Sequence, residues 1–214
     1  SLTIIGAGNN VSTGTIFDNN DVNGERFIYM YNSYSGTLTF QDMVITDYKD
    51  NYGGAFYNNS AESNLTLNNV TISSCDATYY GGAIYYNVGS STDGTYNCNL
   101  TNCTFKDNVS SWANGSARGG AIYFYGNSTN KILSSTISGC TFDNNDVTYA
   151  SASYGGGAIY SAYTNLNIDK SIFHDNTSNG SSADGGALYM YNSNVPRTFS
   201  LTNSLFYDNT CKDD

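Results

Sequence analysis

One five-residue motif returns along this chain and limits what it can fold into. Gly-Gly-Ala, a bulky apolar residue and Tyr occur together five times, at Gly53–Tyr57, Gly81–Tyr85, Gly119–Tyr123, Gly156–Tyr160 and Gly185–Tyr189. A degenerate copy occupies Gly24–Tyr29, where Glu25 and Arg26 replace the Gly-Ala pair. A second motif accompanies it: an apolar residue, two polar ones, then usually Asn. Its bulky member recurs at Phe17, Ile45, Ile72, Phe105, Phe142, Phe173 and Phe206. A repeat of this length marks stacked units, none of which can bury its own apolar face alone.

The second motif lies in a block that aligns without gaps. Leu65, Leu67, Val70 and Ile72 match Cys98, Leu100, Cys103 and Phe105, then Leu166, Ile168, Ser171 and Phe173, then Phe199, Leu201, Ser204 and Phe206. Spacing by two, three and two reads as two short strands joined by a bend, each alternating inward and outward. With 22 Gly, one Pro and an excess of Asn, Ser and Thr, helix is disfavoured and an all-β chain is expected. Polar insertions at Val109–Arg118 and Val147–Gly155 absorb the variation in repeat length, as a solenoid tolerates. The expected fold is a parallel β-helix of about seven coils, one domain spanning 1–214 and roughly 30 Å long at ~4.8 Å per coil. Phe56, Ile84, Ile122, Ile159 and Leu188 are expected to point inward, as is the bulky ladder of the second motif. Asn20, Asn108, Asn145, Asn176 and Asn209 share one turn position, with Tyr48 and Cys75 as exceptions, and stacked amides there can bond along the axis.

These paired motifs resemble the repeats of chlamydial polymorphic outer membrane proteins and are equally similar to adhesin-like surface proteins of methanogenic archaea. The low Pro content and the Asn, Tyr and Ser/Thr richness lean toward the archaeal group. The resemblance covers nearly the whole chain. It implies a right-handed parallel β-helix, secretion, display at the cell surface and adhesion to another cell through a glycan or surface protein. It brings no catalytic motif. The end at Thr210–Asp214 has no recognisable cap, and an uncapped coil is an open sheet edge. The chain is therefore expected to be a piece of a longer array, monomeric as a fragment.

Charge narrows the partners. Eighteen acidic and eight basic residues give a net charge of −10, which argues against nucleic acid and against anionic membrane surfaces. No apolar run approaches the roughly 20 residues of a membrane-spanning helix, so insertion by helix is not expected.

Candidate chemistry is sparse. The five Cys include no Cys-x-x-Cys pair, and Cys103 and Cys140 are expected to stack as buried thiols, a cross-coil disulfide having poor geometry. His174 is the only His, and its coil equivalents are Lys106, Asp143 and Tyr207, which reads as a solvated surface position. Asp107, Asp175 and Asp208 share one turn position, and stacked carboxylates there suit Ca²⁺. No other cofactor is suggested. Asp175 and Asp208 also keep open a polysaccharide-degrading β-helix enzyme, a lyase or glycoside hydrolase. Against it, these acids recur with the repeat, and the Lys and Arg residues are scattered singly. Tyr57, Tyr85, Tyr123, Tyr160 and Tyr189 form the candidate binding stripe, facing outward if the aliphatic ladder faces inward. Their packing under the insertion loops is the alternative. Sequons recur at Asn58, Asn64, Asn69 and Asn114, while Ile172 and Leu205 interrupt the Thr71, Thr104, Thr141 row that ice binding would need. The expectation is a non-catalytic adhesin module, with the enzyme and a structural spacer as alternatives.

Overall fold

Every strand in the computed structural model pairs in parallel with the equivalent strand of a neighbouring repeat. The structure describes residues 1–10, 12–31, 34–59, 62–89, 92–113, 115–127, 130–148, 155–180 and 183–212. Among these there is no helix. The strands form one 12-stranded and two six-stranded sheets, and the chain visits the three in turn. A representative repeat runs Lys131–Ser138 and Thr141–Asp143 in the long sheet, Asp146–Thr148 in the second and Ile159–Ala162 in the third. Thr164–Asp169 then returns to the long sheet beside Lys131–Ser138.

The register confirms the block alignment residue by residue. Cys98 pairs with Leu65 and Leu100 with Leu67, Phe105 with Ile72, and Leu201 with Ile168. Phe56, Ile84, Ile122 and Ile159 are fully buried and neighbour one another across the third sheet. Phe105, Phe142, Phe173 and Phe206 stack face to face at 4.9, 4.5 and 4.5 Å between ring centres. The degenerate first copy is offset from the expected alignment. Ile28 pairs with Phe56 and Tyr29 with Tyr57, so Arg26 stands at the second-glycine position and Phe27 at the alanine.

Three turns set this register. The bend inside the long sheet has a positive φ at Asp42, Asn69, Asn102, Gly139, Lys170 and Asn203. The residue after it closes onto the preceding coil: Cys140 Sγ accepts from Cys103 N at 3.4 Å, and Ser171 Oγ from Cys140 N at 3.2 Å. The second turn follows the Phe ladder and carries the buried amides. Asn145 Nδ2 donates to Phe105 O at 3.0 Å and Asn176 Oδ1 at 2.9 Å, while its Oδ1 accepts from Asn108 N and Nδ2 at 3.2 and 2.9 Å. Asn20 departs from that ladder: it is exposed, with φ of 50°. The third turn is Gly-Gly. Gly119 has φ of 64°, and a Cβ on Gly120 would lie 2.2 Å from Gly157 O of the next coil.

Two substitutions test this account. Asn145→Ala strips partners from a buried carbonyl and from the Asn108 amides, and is expected to lower stability by about 2–4 kcal/mol. Asn209→Ala, in a partly exposed coil, should cost under about 1.5 kcal/mol in the same urea titrations. Gly120→Ala meets backbone instead of a movable side chain and should destabilise at least as much as Asn145→Ala.

Candidate functional site

The five tyrosines of the expected stripe do project from the outer side of the third sheet, but they are not an open surface. Tyr85, Tyr123 and Tyr160 are 8, 4 and 2% exposed, and Tyr57 and Tyr189 are half-buried. Their rings stack from Tyr57 to Tyr189 at 5.1–5.2 Å. A second aromatic layer covers them. Tyr52 lies 5.2 Å from Tyr85, Tyr80 4.9 Å from Tyr123, and Trp112 packs on Tyr80. Arg118 places its guanidinium carbon 5.2 Å from the Tyr80 and Tyr160 ring centres. Burial pushes the Tyr85 and Tyr123 phenols up from their ordinary values. Period-two alternation gives direction only. The residues just before Gly-Gly, Tyr52, Tyr80 and Arg118, were the available signal for a covering layer.

The turn carboxylates of the calcium hypothesis occupy equivalent positions for a backbone reason. Asp107, Asp175 and Asp208 have φ of 55, 56 and 52°, a left-handed conformation that Asp and Asn tolerate. Asn144 takes the same position between Asp107 and Asp175, and its Nδ2 donates to Asp107 Oδ1 at 2.7 Å. The cluster whose donor atoms lie within 4.8 Å of one another, among the described residues, is instead Asp143, His174 and Asp175. Strand alternation would set the neighbours His174 and Asp175 on opposite faces, but the strand ends at His174. The left-handed turn then folds Asp175 Oδ2 back to 2.8 Å from His174 Nδ1. Asp143 also holds Lys106 Nζ at 2.8 Å, and the His174 ring stacks on Tyr207 at 5.0 Å.

Cys75, Cys103 and Cys140 sit in turns, and Cys98 points inward from a strand of the long sheet. Cys75, Cys98, Cys103 and Cys140 are buried and unbridged, and burial pushes Cys75 up to about 12. Asn58 is also buried, bonded to Ser63 Oγ at 3.2 Å, which removes its side chain from the surface a glycan would need. Asn69 is held by Asp42 at 2.6 Å, and Asn114 lies outside the described residues.

One polar groove was missed by the sequence reading. Gly24, Glu25, Arg26, Tyr29, Asp50 and Tyr57 line a groove of about 450 Å³. Arg26 grips Asp50 with Nε to Oδ2 at 2.9 Å and Nη2 to Oδ1 at 2.5 Å, both side chains being largely covered. Its guanidinium carbon lies 4.4 Å from the Tyr57 ring centre. The signal was present in Glu25-Arg26, where the repeat breaks.

A family model of the Chlamydia polymorphic membrane protein repeat matches residues 102–125 and 139–162. Over these two segments the chain is similar to that repeat. Each segment carries one Phe-x-x-Asn turn and one Gly-Gly-Ala-Ile-Tyr strand, which are Phe105–Asn108 with Gly119–Tyr123, and Phe142–Asn145 with Gly156–Tyr160. The match supports the chlamydial part of the resemblance and does not extend to the archaeal surface proteins. No curated protein and no solved structure matches the chain. Among the described residues no helix is long and apolar enough to cross a membrane.

Two measurements check these assignments. Under native conditions a disulfide reagent should modify Cys211 alone, and all five thiols once the chain is unfolded. Burial raises the carboxyls of Asp76 and Asp146, and Asp146 Oδ1 is buried without a hydrogen bond. A carboxyl raised in the fold weakens stability as pH climbs from its unfolded value, near 3.9, through its folded one. Asp146→Asn should therefore raise the thermal midpoint at pH 7, with the gain vanishing below about pH 3.5.

Proposed function

We propose that residues 1–214 form a non-catalytic adhesin module, displayed at a cell surface and holding a glycan or surface protein of another cell. The match to the polymorphic membrane protein repeat carries this reading. Support comes from how the repeat spends its residues. Gly-Gly, Phe-x-x-Asn and the Cys/Ser bend are used up in turns and core, which leaves outer faces and loops to vary without loss of fold. The net charge of −10 favours neither nucleic acid nor anionic lipid. In this reading the solenoid is one right-handed unit of about seven coils, the hand favoured by parallel crossover connections, and is a monomer in solution.

The test exposes the chain to arrayed glycans and to intact microbial cells, with released reducing ends assayed in the same wells. Retention without released product is the expected result, and parallel wells with calcium and with chelator reveal any cation dependence. Released product would replace the adhesin reading with a polysaccharide-degrading enzyme. Neither retention nor product would leave the module as a spacer.

A further inference from the structure

We propose that Asp143, His174 and Asp175 bind a divalent first-row transition ion such as Zn²⁺, which clamps two neighbouring coils together. This goes beyond the adhesin reading and does not depend on it. Asp143 and His174 are the last residues of paired strands in the long sheet, and the left-handed turn at Asp175 brings its carboxylate back to the imidazole. Strands pair on both sides of this row, Lys106 with Asp143 and His174 with Tyr207, so the site lies inside the stack. Asp143 Oδ1 lies 3.5 Å and Asp175 Oδ2 2.8 Å from His174 Nδ1, and the three donor atoms fall within 4.8 Å of one another. Zinc bonds of about 2.0–2.2 Å in a tetrahedron hold N and O ligands roughly 3.3 Å apart. The observed separations straddle that value, so small side-chain rotations close the site.

The surroundings hold these groups as ligands. Lys106 Nζ takes Asp143 Oδ2 at 2.8 Å, which leaves Oδ1 for the ion. The Tyr207 ring stacks on His174 at 5.0 Å and 4°, fixing the imidazole plane as outer groups do for metal-bound histidines. The His174 and Asp143 side chains are 19 and 20% exposed, whereas Asp175 at 54% leaves a path from solvent. Charge favours a cation, because two carboxylates face one lysine in a chain of net charge −10. The imidazole sets the class. Ca²⁺ and Mg²⁺ take oxygen ligands, while one nitrogen with two carboxylates suits Zn²⁺, Co²⁺ or Ni²⁺. The ion replaces the proton between Nδ1 and Asp175, and the neutral imidazole then carries its hydrogen on Nε2. Because its ligands belong to two coils, binding the ion stabilises the folded stack.

The test uses the full 214-residue chain carrying Cys211→Ser, which removes the exposed thiol as a competing ligand. His174 is the one His of the sequence, so its imidazole NMR signals are assigned without ambiguity. Zn²⁺ titrated by calorimetry should bind at one equivalent, move those signals and raise the thermal midpoint. His174→Ala, Asp143→Asn and Asp175→Asn should each weaken binding about tenfold or more and abolish the rise in midpoint. Lys106→Gln should tighten it several-fold by freeing Asp143 of a competing cation, which loss of a merely structural ion pair would not do. Asp107→Asn, at a turn carboxylate bonded to Asn144, should leave it unchanged, with circular dichroism confirming that each variant folds. Absence of Zn²⁺ binding overturns the site, as does binding that survives His174→Ala or affinity for Ca²⁺ exceeding that for Zn²⁺. None of these results bears on the adhesin reading, which the retention of cells decides separately.

Discussion

The side-chain amides of Asn108, Asn145 and Asn176 sit where the chain turns inside the stack, out of reach of water. Each amide nitrogen donates both to a carbonyl of the preceding coil and to the next amide along the axis. Each amide oxygen from Asn145 onward accepts the backbone N–H of the coil before it. A buried peptide group left unpaired at this turn would cost about 1–3 kcal/mol, and the ladder removes that cost at every coil it spans. It also fixes register, because a one-residue slip would separate the amides and turn each apolar side chain to the wrong face. The Cys and Ser residues at the other bend do similar work, each Sγ or Oγ accepting one N–H from the preceding coil and donating to the carbonyl two residues back.

Once register is fixed, like side chains fall on like at the strand spacing. Phenylalanines stack inside, and the repeated Tyr builds a second apolar layer outside the third sheet. This chain is 14% aromatic and only 12% charged, so phenol rings supply burial that aliphatic side chains provide elsewhere. The outer layer is therefore part of the fold's stability as much as of its surface.

Most of the fold was legible because backbone geometry forces its motifs. A left-handed turn favours Gly, Asn or Asp, with Ser74, Tyr163 and Lys170 as the exceptions among the described residues, and the approach of Gly157 O excludes any side chain at Gly120. What the sequence did not disclose depends on layers above the strands. Alternation placed Tyr123 outside but said nothing of Tyr80, Trp112 and Arg118 over the stack. It also misjudged His174 and Asp175, since alternation stops where a strand ends in a left-handed turn. Arg26 escaped notice because the first copy is offset by one residue from its expected alignment.

Arg26 and Arg118 then show how one interaction serves two ends. Arg118 precedes a Gly-Gly turn, Arg26 stands where the second glycine of such a turn would be, and both lay a guanidinium over tyrosine rings. Arg118 does so where Tyr80, Trp112 and Tyr160 gather, and its contacts hold the outer layer together. Arg26 makes the same contact over Tyr29 and Tyr57 while its Nε and Nη2 hold the Asp50 carboxylate. A repeat that absorbs its recurrent geometry into turns leaves variation to the coils that depart from it. In this chain the departure places a largely covered Arg–Asp pair and a groove at one turn, which no regular coil can do while Gly-Gly occupies that turn.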